Sequence, residues 1–369
     1  MIKLSGRNEG FLHVSFHVIS RTTLSVFVLA SGCKKSETCL TCPPQLVDTT
    51  SHNIQWIVDS LSERGLVRDV WVFSQNNVIA VGEFDTPRSD SGLATPYNVA
   101  YWNGQNWQRD IVYYSTGGHH YSSPLYAICA FSESDIWFGG NGLVHWDGQS
   151  YVAQDDLVSI WGPFLISRIW GTSSSDLFVV GDSGSLAHYD GSWIKVNTGT
   201  RVNLQDVWGT DANHVWATGY NDGDGHCVIL QDSNGVWRKI YDSTGQPFLN
   251  EFQFASLWTD DPTRLYLVGG SFPTLLDLSA GKYSQLRTPI QYVSFRIRAL
   301  KANDMFIAAE GSEVGHYNGS TWYKYPELKV LNGGSAWFLS VQATKDFVVL
   351  GGFYYTGINT IPVVLRGYR

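Results

Sequence analysis

The composition of this 369-residue chain indicates a folded protein that is rich in strands. Hydrophobic residues make up 43% and aromatic residues 14%, whereas charged residues make up only 16%. This balance excludes a disordered chain, a coiled coil and a collagen-like rod. The formal net charge of −8 argues against a nucleic-acid partner, because such binding requires a basic surface. The many aromatic and glycine residues favour short strands joined by tight turns.

The N-terminus has the pattern of an export signal. Three basic residues, Lys3, Arg7 and Arg21, precede an apolar run at 22–30, and small residues then lead to Cys33. An apolar region of this length is too short to span a bilayer. We therefore expect this segment to direct export and not to form part of the fold.

The residues before Cys33 resemble the lipobox of bacterial lipoproteins. The resemblance rests on Leu29-Ala30-Ser31-Gly32-Cys33, although Ala30 stands where the lipobox usually has Leu. It implies a signal peptide at 1–32, a lipid on Cys33 and a flexible tether at 33–52. The protein would then be anchored in the cell envelope, at the outer membrane or the cell surface. The alternative is an ordinary secretory signal in which Cys33 has no special role.

The other four cysteines fall into two groups. Cys39 and Cys42 form a C-x-x-C pair in the tether, which would suit a redox pair, half of a metal site or a local disulfide. We favour the disulfide, because the envelope is oxidising and the sequence has no second pair for zinc. Cys129 and Cys227 lie in apolar strand patterns, so we expect buried thiols.

The chain after the tether is a repeat. Each copy begins with an apolar residue that Trp often follows, continues through a polar turn, and ends in an apolar run that often closes on glycine. The first residues of the seven copies, called anchors below, are Val70, Ile128, Ile169, Val207, Leu257, Ile297 and Leu339. Their intervals are close to the roughly 40–50 residues typical of propeller blades.

A second phrase predicts a hairpin in most copies. Its Asn-Gly or Asp-Gly pairs stand at Asn103-Gly104, Asp147-Gly148, Asp190-Gly191, Asn234-Gly235 and Asn318-Gly319. Such pairs between apolar strands are the strongest short hairpin signal, because both central residues take positive φ. Each copy therefore contains four strands, a to d, with the hairpin joining c to d. We expect Trp71, Trp170, Trp208 and Trp258 to pack between neighbouring copies.

Seven four-stranded copies predict an all-β, seven-bladed β-propeller over residues 53–369. The last copy ends in a c-like strand and has no strand d, whereas the segment before the first anchor carries an unassigned strand. We expect residues 53–60 to pair with 361–368, because this pairing closes the ring and removes free sheet edges.

The repeat resembles those of known propeller families. The hairpin phrase is similar to the Asp-box of sialidase-like and other BNR propellers. The whole repeat resembles that of exported bacterial propellers of the photosystem-assembly-factor and kelch-like kinds. This resemblance implies the propeller fold and leaves the function open, because propellers carry many unrelated activities.

Candidate binding residues lie in loops that we expect on one face, the top face, around the mouth of the central channel. Four stand where strand b ends, two are adjacent histidines between the first two blades, and two are aromatic. They are Glu83, Asp182, Tyr220, Glu310, His119, His120, Trp161 and Tyr354. Exposed aromatic rings suit sugars and protein partners, and histidine suits metal ligation or acid–base work.

One loop offers carboxylates to a cation. Asp222 and Asp224 lie in the glycine-containing segment 221–226, and closely spaced aspartates of this kind can bind calcium. The segment lacks the remaining ligands of an EF-hand, so a polar turn without metal is the simpler interpretation. No other cofactor is expected.

The sequence favours a monomeric, non-catalytic binding or scaffold module for a protein or a glycan. The alternative is a carbohydrate-active enzyme, a glycoside hydrolase or lyase, since sialidase-like catalysis uses an arginine cluster. Arg68, Arg168 and Arg296 all fall near the start of a strand a. Asp69 and Asp206 occupy similar positions, however, and ion pairs between blades explain the arginines more simply.

Replacing the lipobox cysteine tests the anchor. In C33S the thiol that would carry the lipid is absent, so the protein should move from the membrane fraction to the soluble fraction. Fractionation followed by immunoblotting measures this distribution, with C129S, a cysteine outside the lipobox, as the control. Retention of C33S in membranes would contradict the lipoprotein assignment.

Overall fold

The described part of the chain contains three residues of the N-terminal segment and most residues from 49 onwards. The computed structural model describes residues 3–5, 49–85, 97–116, 119–162, 165–244, 254–270, 272–330 and 335–369. The predictions for Cys33, Cys39 and Cys42 lie outside these residues. Within them, no helix has the length and apolar character needed to cross a membrane.

Seven antiparallel sheets form the blades of a β-propeller, as the repeat predicts. The chain starts with β1 (Lys3–Ser5) and β2 (Gln55–Ser60). Blade 1 contains β3 (Arg64–Ser74), β4 (Asn77–Asp85), β5 (Tyr97–Trp102) and β6 (Trp107–Asp110), and the small hairpin β7 (Tyr114–Thr116) and β8 (His119–Tyr121) follows. Blade 2 contains β9 (Ala127–Ser132), β10 (Asp135–Gly139), β11 (Leu143–Trp146) and β12 (Tyr151–Ala153), and helix α1 (Asp155–Trp161) follows.

The remaining blades repeat the same order of strands. Blade 3 contains β13 (Ile166–Ser173), β14 (Asp176–Gly181), β15 (Leu186–Tyr189) and β16 (Trp193–Lys195). Blade 4 contains β17 (Leu204–Asp211), β18 (His214–Tyr220), β19 (Cys227–Ser233) and β20 (Val236–Asp242). Blade 5 contains β21 (Ser256–Trp258), β22 (Arg264–Val268), β23 (Thr274–Asp277) and β24 (Lys282–Gln285). Blade 6 contains β25 (Ser294–Lys301), β26 (Asp304–Ala309), β27 (Val314–Tyr317) and β28 (Trp322–Lys324), and blade 7 contains β29 (Ser335–Ala343), β30 (Phe347–Tyr355) and β31 (Thr360–Tyr368).

The N-terminal strand β2 closes the ring, which confirms the expectation for residues 53–60. It pairs antiparallel with β31 from Gln55 opposite Tyr368 to Ser60 opposite Val363. The short β1 pairs parallel with the other edge of β2, so these three residues of the N-terminal segment add a strand to the sheet, which differs from the expectation that the segment lies outside the fold. The buried Asp59 carboxylate of β2 accepts from the Arg366 guanidinium (Nε to Oδ2, 2.5 Å) in β31. It also accepts from the Trp107 indole of blade 1 (2.9 Å), so Asp59 ties the closing strand to blade 7, which it completes, and to blade 1.

Apolar side chains fill the spaces between neighbouring blades. One cluster packs Val70 and Val78 of blade 1 against Phe347 and Val349 of blade 7. The recurrent tryptophans contribute as predicted, since Trp258 is buried and the others pack partly buried against these clusters. Both described cysteines, Cys129 and Cys227, are buried and carry free thiols, also as predicted.

The predicted c–d hairpins are all present, but only the turn at Asn234-Gly235 has the expected positive φ at both central residues. The other four turns leave three or four residues between their strands, and their Asn or Asp residues do not have positive φ. The five hairpin glycines, Gly104, Gly148, Gly191, Gly235 and Gly319, all have positive φ. In blade 2 the Asp147 carboxylate accepts the backbone N–H groups of Gln149 (2.8 Å) and Ser150 (2.7 Å). The aspartate therefore stabilises the turn from within, and its role in the repeat is structural.

A one-residue bulge interrupts strand a two residues before its anchor. The register shifts between Val67 and Asp69 in blade 1, and at equivalent places in blades 3, 4, 6 and 7. In blade 7 the shift lies between Phe338 and Ser340. Leu339 is therefore the bulge residue and Val341 occupies the anchor position, so the sequence placed this anchor two residues too early. The error arose because both residues are apolar and the one-residue bulge is not visible in the pattern.

Three blades share an Asp–His pair that the sequence analysis missed, half-buried in blades 2 and 3 and fully buried in blade 6. The first residue of strand b pairs with a histidine of strand c: Asp135 with His145 (2.8 Å), Asp176 with His188 (2.7 Å) and Asp304 with His316 (3.0 Å). Each imidazole stacks on an aromatic ring of strand b at a centroid distance of 4.0–4.3 Å. These histidines thus support the repeat.

Candidate functional site

Equivalent residues of all seven blades meet at one end of the central channel, and in five blades this residue is the bulge residue. Strand a starts at this end in every blade, so the side chain two residues before each anchor faces a shared space. This upper cavity has a volume of about 250 Å³. Its lining includes the bulge residues Arg68, Ser167, Gln205, Phe295 and Leu339, together with Tyr126 and Ala255, which directly precede strand a in blades 2 and 5.

Below the upper cavity, two buried carboxylates organise a layer of ion pairs across the channel. Asp69 of blade 1 pairs with the Arg168 guanidinium of blade 3. It also accepts the Ser340 hydroxyl of blade 7 (2.6 Å) and the Ile128 backbone N–H of blade 2 (3.2 Å). Four blades therefore meet at one carboxylate.

The second carboxylate, Asp206 of blade 4, joins the rest of the ring. Arg298 of blade 6 donates to both of its oxygens (2.8 and 2.9 Å), and Arg296 Nη1 lies 2.9 Å from Oδ2. Ser256 of blade 5 donates its hydroxyl (2.6 Å), and Arg168 Nε lies 3.6 Å from Oδ1. Arg168 thus links the two carboxylates, and together they connect all seven blades.

The structure confirms that ion pairs between blades account for Arg168 and Arg296. Arg68 is different, because its guanidinium carbon lies 3.9 Å from the centre of the Tyr126 ring and no ion pair of Arg68 occurs among the described residues. A desolvated guanidinium over an aromatic face is favourable. All three arginines line the upper cavity, but only Arg68 lies outside the ion-pair layer.

Several guanidinium atoms at the cavity lack hydrogen-bond acceptors. They are Arg68 Nε, Arg168 Nε, Arg296 Nε and Arg296 Nη1, whose contact with Asp206 falls outside hydrogen-bonding geometry. Arg168 and Arg296 are 5% and 6% exposed. Buried donors without acceptors are costly in a folded protein, so the cavity offers donor capacity that the described chain does not use.

Two of the sequence candidates line the upper cavity, namely Asp182 and Tyr220. Burial raises the pKa of the Asp182 carboxyl. Burial, followed by the nearby Asp222 carboxylate, raises the pKa of the Tyr220 hydroxyl. Asp182 is the one carboxylate among the described lining residues, so the cavity holds no pair of facing carboxylates there.

The other candidates lie elsewhere. Glu83 belongs to strand β4, opposite Leu66, instead of following the strand, and Glu310 directly follows β26, with its N–H bonded to Val293 (2.9 Å). Trp161 ends α1 and packs beside the core between blades 2 and 3. Tyr354 lies in β30 and packs beside the core between blades 6 and 7.

The histidine and calcium candidates lie in a hairpin after blade 1 and in a turn of blade 4. His119 and His120 lie in β8, which pairs with β7. Asp224 accepts the His226 backbone N–H (3.0 Å) in the turn between β18 and β19. In the residues that the structure describes, no three or more ligating side chains cluster as a metal site would require. Calcium binding by Asp222 and Asp224 stays a prediction.

A second cavity opens at the other end of the channel. Its volume is about 220 Å³, and its walls include Trp71, Trp170 and Trp208, with Asp69 and Arg298 nearer the ion-pair layer. Arg298 stacks on the Trp208 ring at 4.7 Å, which fixes one indole in place. The recurrent tryptophans therefore line this lower cavity as well as packing between blades.

Comparison with known proteins establishes the fold. No protein-family model and no curated protein matches the chain. A solved structure described as YCF48 bound to D1 peptide covers 88% of this chain and 99% of its own, with a TM-score of 0.61 and 12% identity. YCF48 from Cyanidioschyzon merolae covers 85% and 98%, with a TM-score of 0.56 and 13% identity. The WD40 propeller domain of Doa1 covers 84% and 94%, with a TM-score of 0.57 and 14% identity. At such identities the likeness concerns the fold alone.

Neutralising the second carboxylate tests the ion-pair layer. In D206N the shape is kept but the buried arginines lose their counter-charge, so the free energy of unfolding should fall by about 3–5 kcal/mol. The exposed Asp211 ends the same strand β17, and D211N should cost no more than the roughly 0.2–1 kcal/mol of a surface pair. Denaturant unfolding measures both, and equal losses would contradict the role given to Asp206.

Proposed function

We propose that this propeller is a non-catalytic scaffold that binds a segment of a partner protein in its upper cavity. The observation that carries the proposal is the convergence of one residue from every blade, five of them bulge residues, on a single cavity. Bulge residues make no regular ladder contacts, so their side chains are free to specify a ligand while the strands keep the fold. The cavity therefore combines a rigid wall with variable contacts.

The chemistry of the lining suits a peptide. Phe295, Leu339 and Ala255 supply an apolar side, whereas Ser167 and Gln205 supply hydrogen-bonding groups. Interfaces of this mixed kind, with aromatic and arginine side chains near their centre, are typical of protein recognition. A fold neighbour whose description names a bound peptide, YCF48 with D1 peptide, and the WD40 propeller domain of Doa1 support a protein partner. A glycan would be the alternative ligand.

A carbohydrate-active enzyme is not favoured by the geometry of the described residues. Glycoside hydrolysis commonly uses two carboxyl groups on opposite sides of the scissile bond, and Asp182 is the single described carboxylate in the upper cavity. Two of the three arginines that prompted this alternative, Arg168 and Arg296, pair with Asp69 and Asp206. Binding without turnover accounts for both observations.

We also propose that the propeller is an envelope lipoprotein anchored through Cys33, with hairpins of the Asp-box kind. The apolar run and small residues before Cys33 support the anchor, and the aspartate-stabilised turn at Asp147 supports the hairpin class. A lipid tether at 33–52 would hold the binding cavity close to the membrane surface. Partners would then be proteins of the same envelope.

Site-specific cross-linking in cells tests both that the partner is a protein and that it binds in the upper cavity. A photoreactive amino acid at Gln205 lies in the upper cavity, so irradiation should yield a discrete adduct with a second protein. The matched control is Val236, which is 66% exposed at the outer edge of the same blade and should give no such adduct. Immunoblotting reads out both. The absence of a protein adduct when the photoreactive residue is at position 205, or equal adducts at positions 205 and 236, would contradict the proposal.

A further inference from the structure

The charges around the upper cavity do not balance. The ion-pair layer contains three guanidinium groups, Arg168, Arg296 and Arg298, against the two carboxylates Asp69 and Asp206. The cavity lining adds Arg68 and Asp182. Counting the cavity and this layer together, four arginines face three aspartates, which leaves one positive charge.

The hydrogen bonds around the cavity also show that negatively charged acceptors are too few. Arg296 offers Nε and Nη1 without hydrogen-bonded acceptors, and Arg68 offers Nε. Both residues line the cavity, and Arg296 is only 6% exposed. Such a side chain is poorly solvated, so an anion that entered would meet donors with little competition from water.

The shape and charge of the cavity select a carboxylate. A guanidinium is a planar fork that matches two carboxylate oxygens, and a monoanion restores neutrality to a site with one excess positive charge. The dianionic form of a phosphate would leave an excess negative charge beside Asp182. The apolar side formed by Phe295 and Leu339 can accommodate the carbon chain that carries the carboxylate.

We propose that Arg68 and Arg296 bind a carboxylate of the partner segment in the upper cavity. This inference rests on the proposed function and names the group that is recognised. The carboxylate belongs either to an Asp or Glu side chain or to the C-terminus of the partner, since both present the same two oxygens. Arg168 holds the layer beneath and acts as a positioning residue.

Arg68 is the variant of choice, because it lies outside the ion-pair layer and its loss should leave the ring intact. With the photoreactive residue at Gln205, R68Q should reduce the yield of the protein adduct at least tenfold, and R68K should restore part of it. The matched control R238Q removes an exposed arginine whose guanidinium contacts Gln231 in blade 4 and should leave the yield unchanged. Unaltered denaturant unfolding of R68Q would confirm that the fold is kept.

Mass spectrometry of the adduct distinguishes the two sources of the carboxylate. The cross-linked segment should contain an Asp or Glu, or end the partner chain. Amidation of that group, by Asn or Gln substitution or by extension of the C-terminus, should lower the yield as much as R68Q does. An adduct that forms equally well with R68Q, or with a segment without a carboxylate, would overturn this inference while leaving the proposed function intact. If no adduct forms when the photoreactive residue is at position 205 and Arg68 is intact, the result would instead contradict the proposed function.

Discussion

Two buried carboxylates hold the ring together. Asp69 and Asp206 each accept hydrogen bonds or ion pairs from several blades, and Arg168 links them across the channel. Because buried charges are costly unless they are paired and fully hydrogen-bonded, the layer is stable only when the blades approach at the correct distance. The closing pair of β2 and β31 supplies the other constraint, since it fixes the seventh blade to the first.

This layer also explains where a ligand can bind. It separates an upper cavity lined by bulge residues from a lower cavity lined by recurrent tryptophans. The tryptophans belong to the packing between blades, so they are constrained by the fold. The bulge residues lie outside the regular ladder, and their chemistry differs from blade to blade. Recognition by the upper cavity therefore follows from a structural position that the core does not need.

The sequence predicts most of the fold because the repeat and its turns are local. The positions of the c–d hairpins and of the closing strand 53–60 follow from the spacing of the repeat and from its Asn-Gly and Asp-Gly pairs. The turn type did not follow, because only Asn234-Gly235 has positive φ at both residues. The site is harder to predict, because a one-residue bulge decides which side chain faces the channel. That shift moved the seventh anchor from Leu339 to Val341. It also concealed Gln205 and Phe295, while Glu83 was predicted to follow a strand to which it belongs.

The central claim is that the layer couples all seven blades into one cooperative unit. Native-state hydrogen exchange tests it at two backbone amides, since the Ile128 N–H donates to Asp69 and the Leu257 N–H to Asp206. Buried amides of a single cooperative unit exchange only through global unfolding. We predict that both amides exchange with the same opening free energy, equal to that obtained from denaturant unfolding. Two different opening free energies, with one half of the ring opening while the other stays closed, would contradict the account.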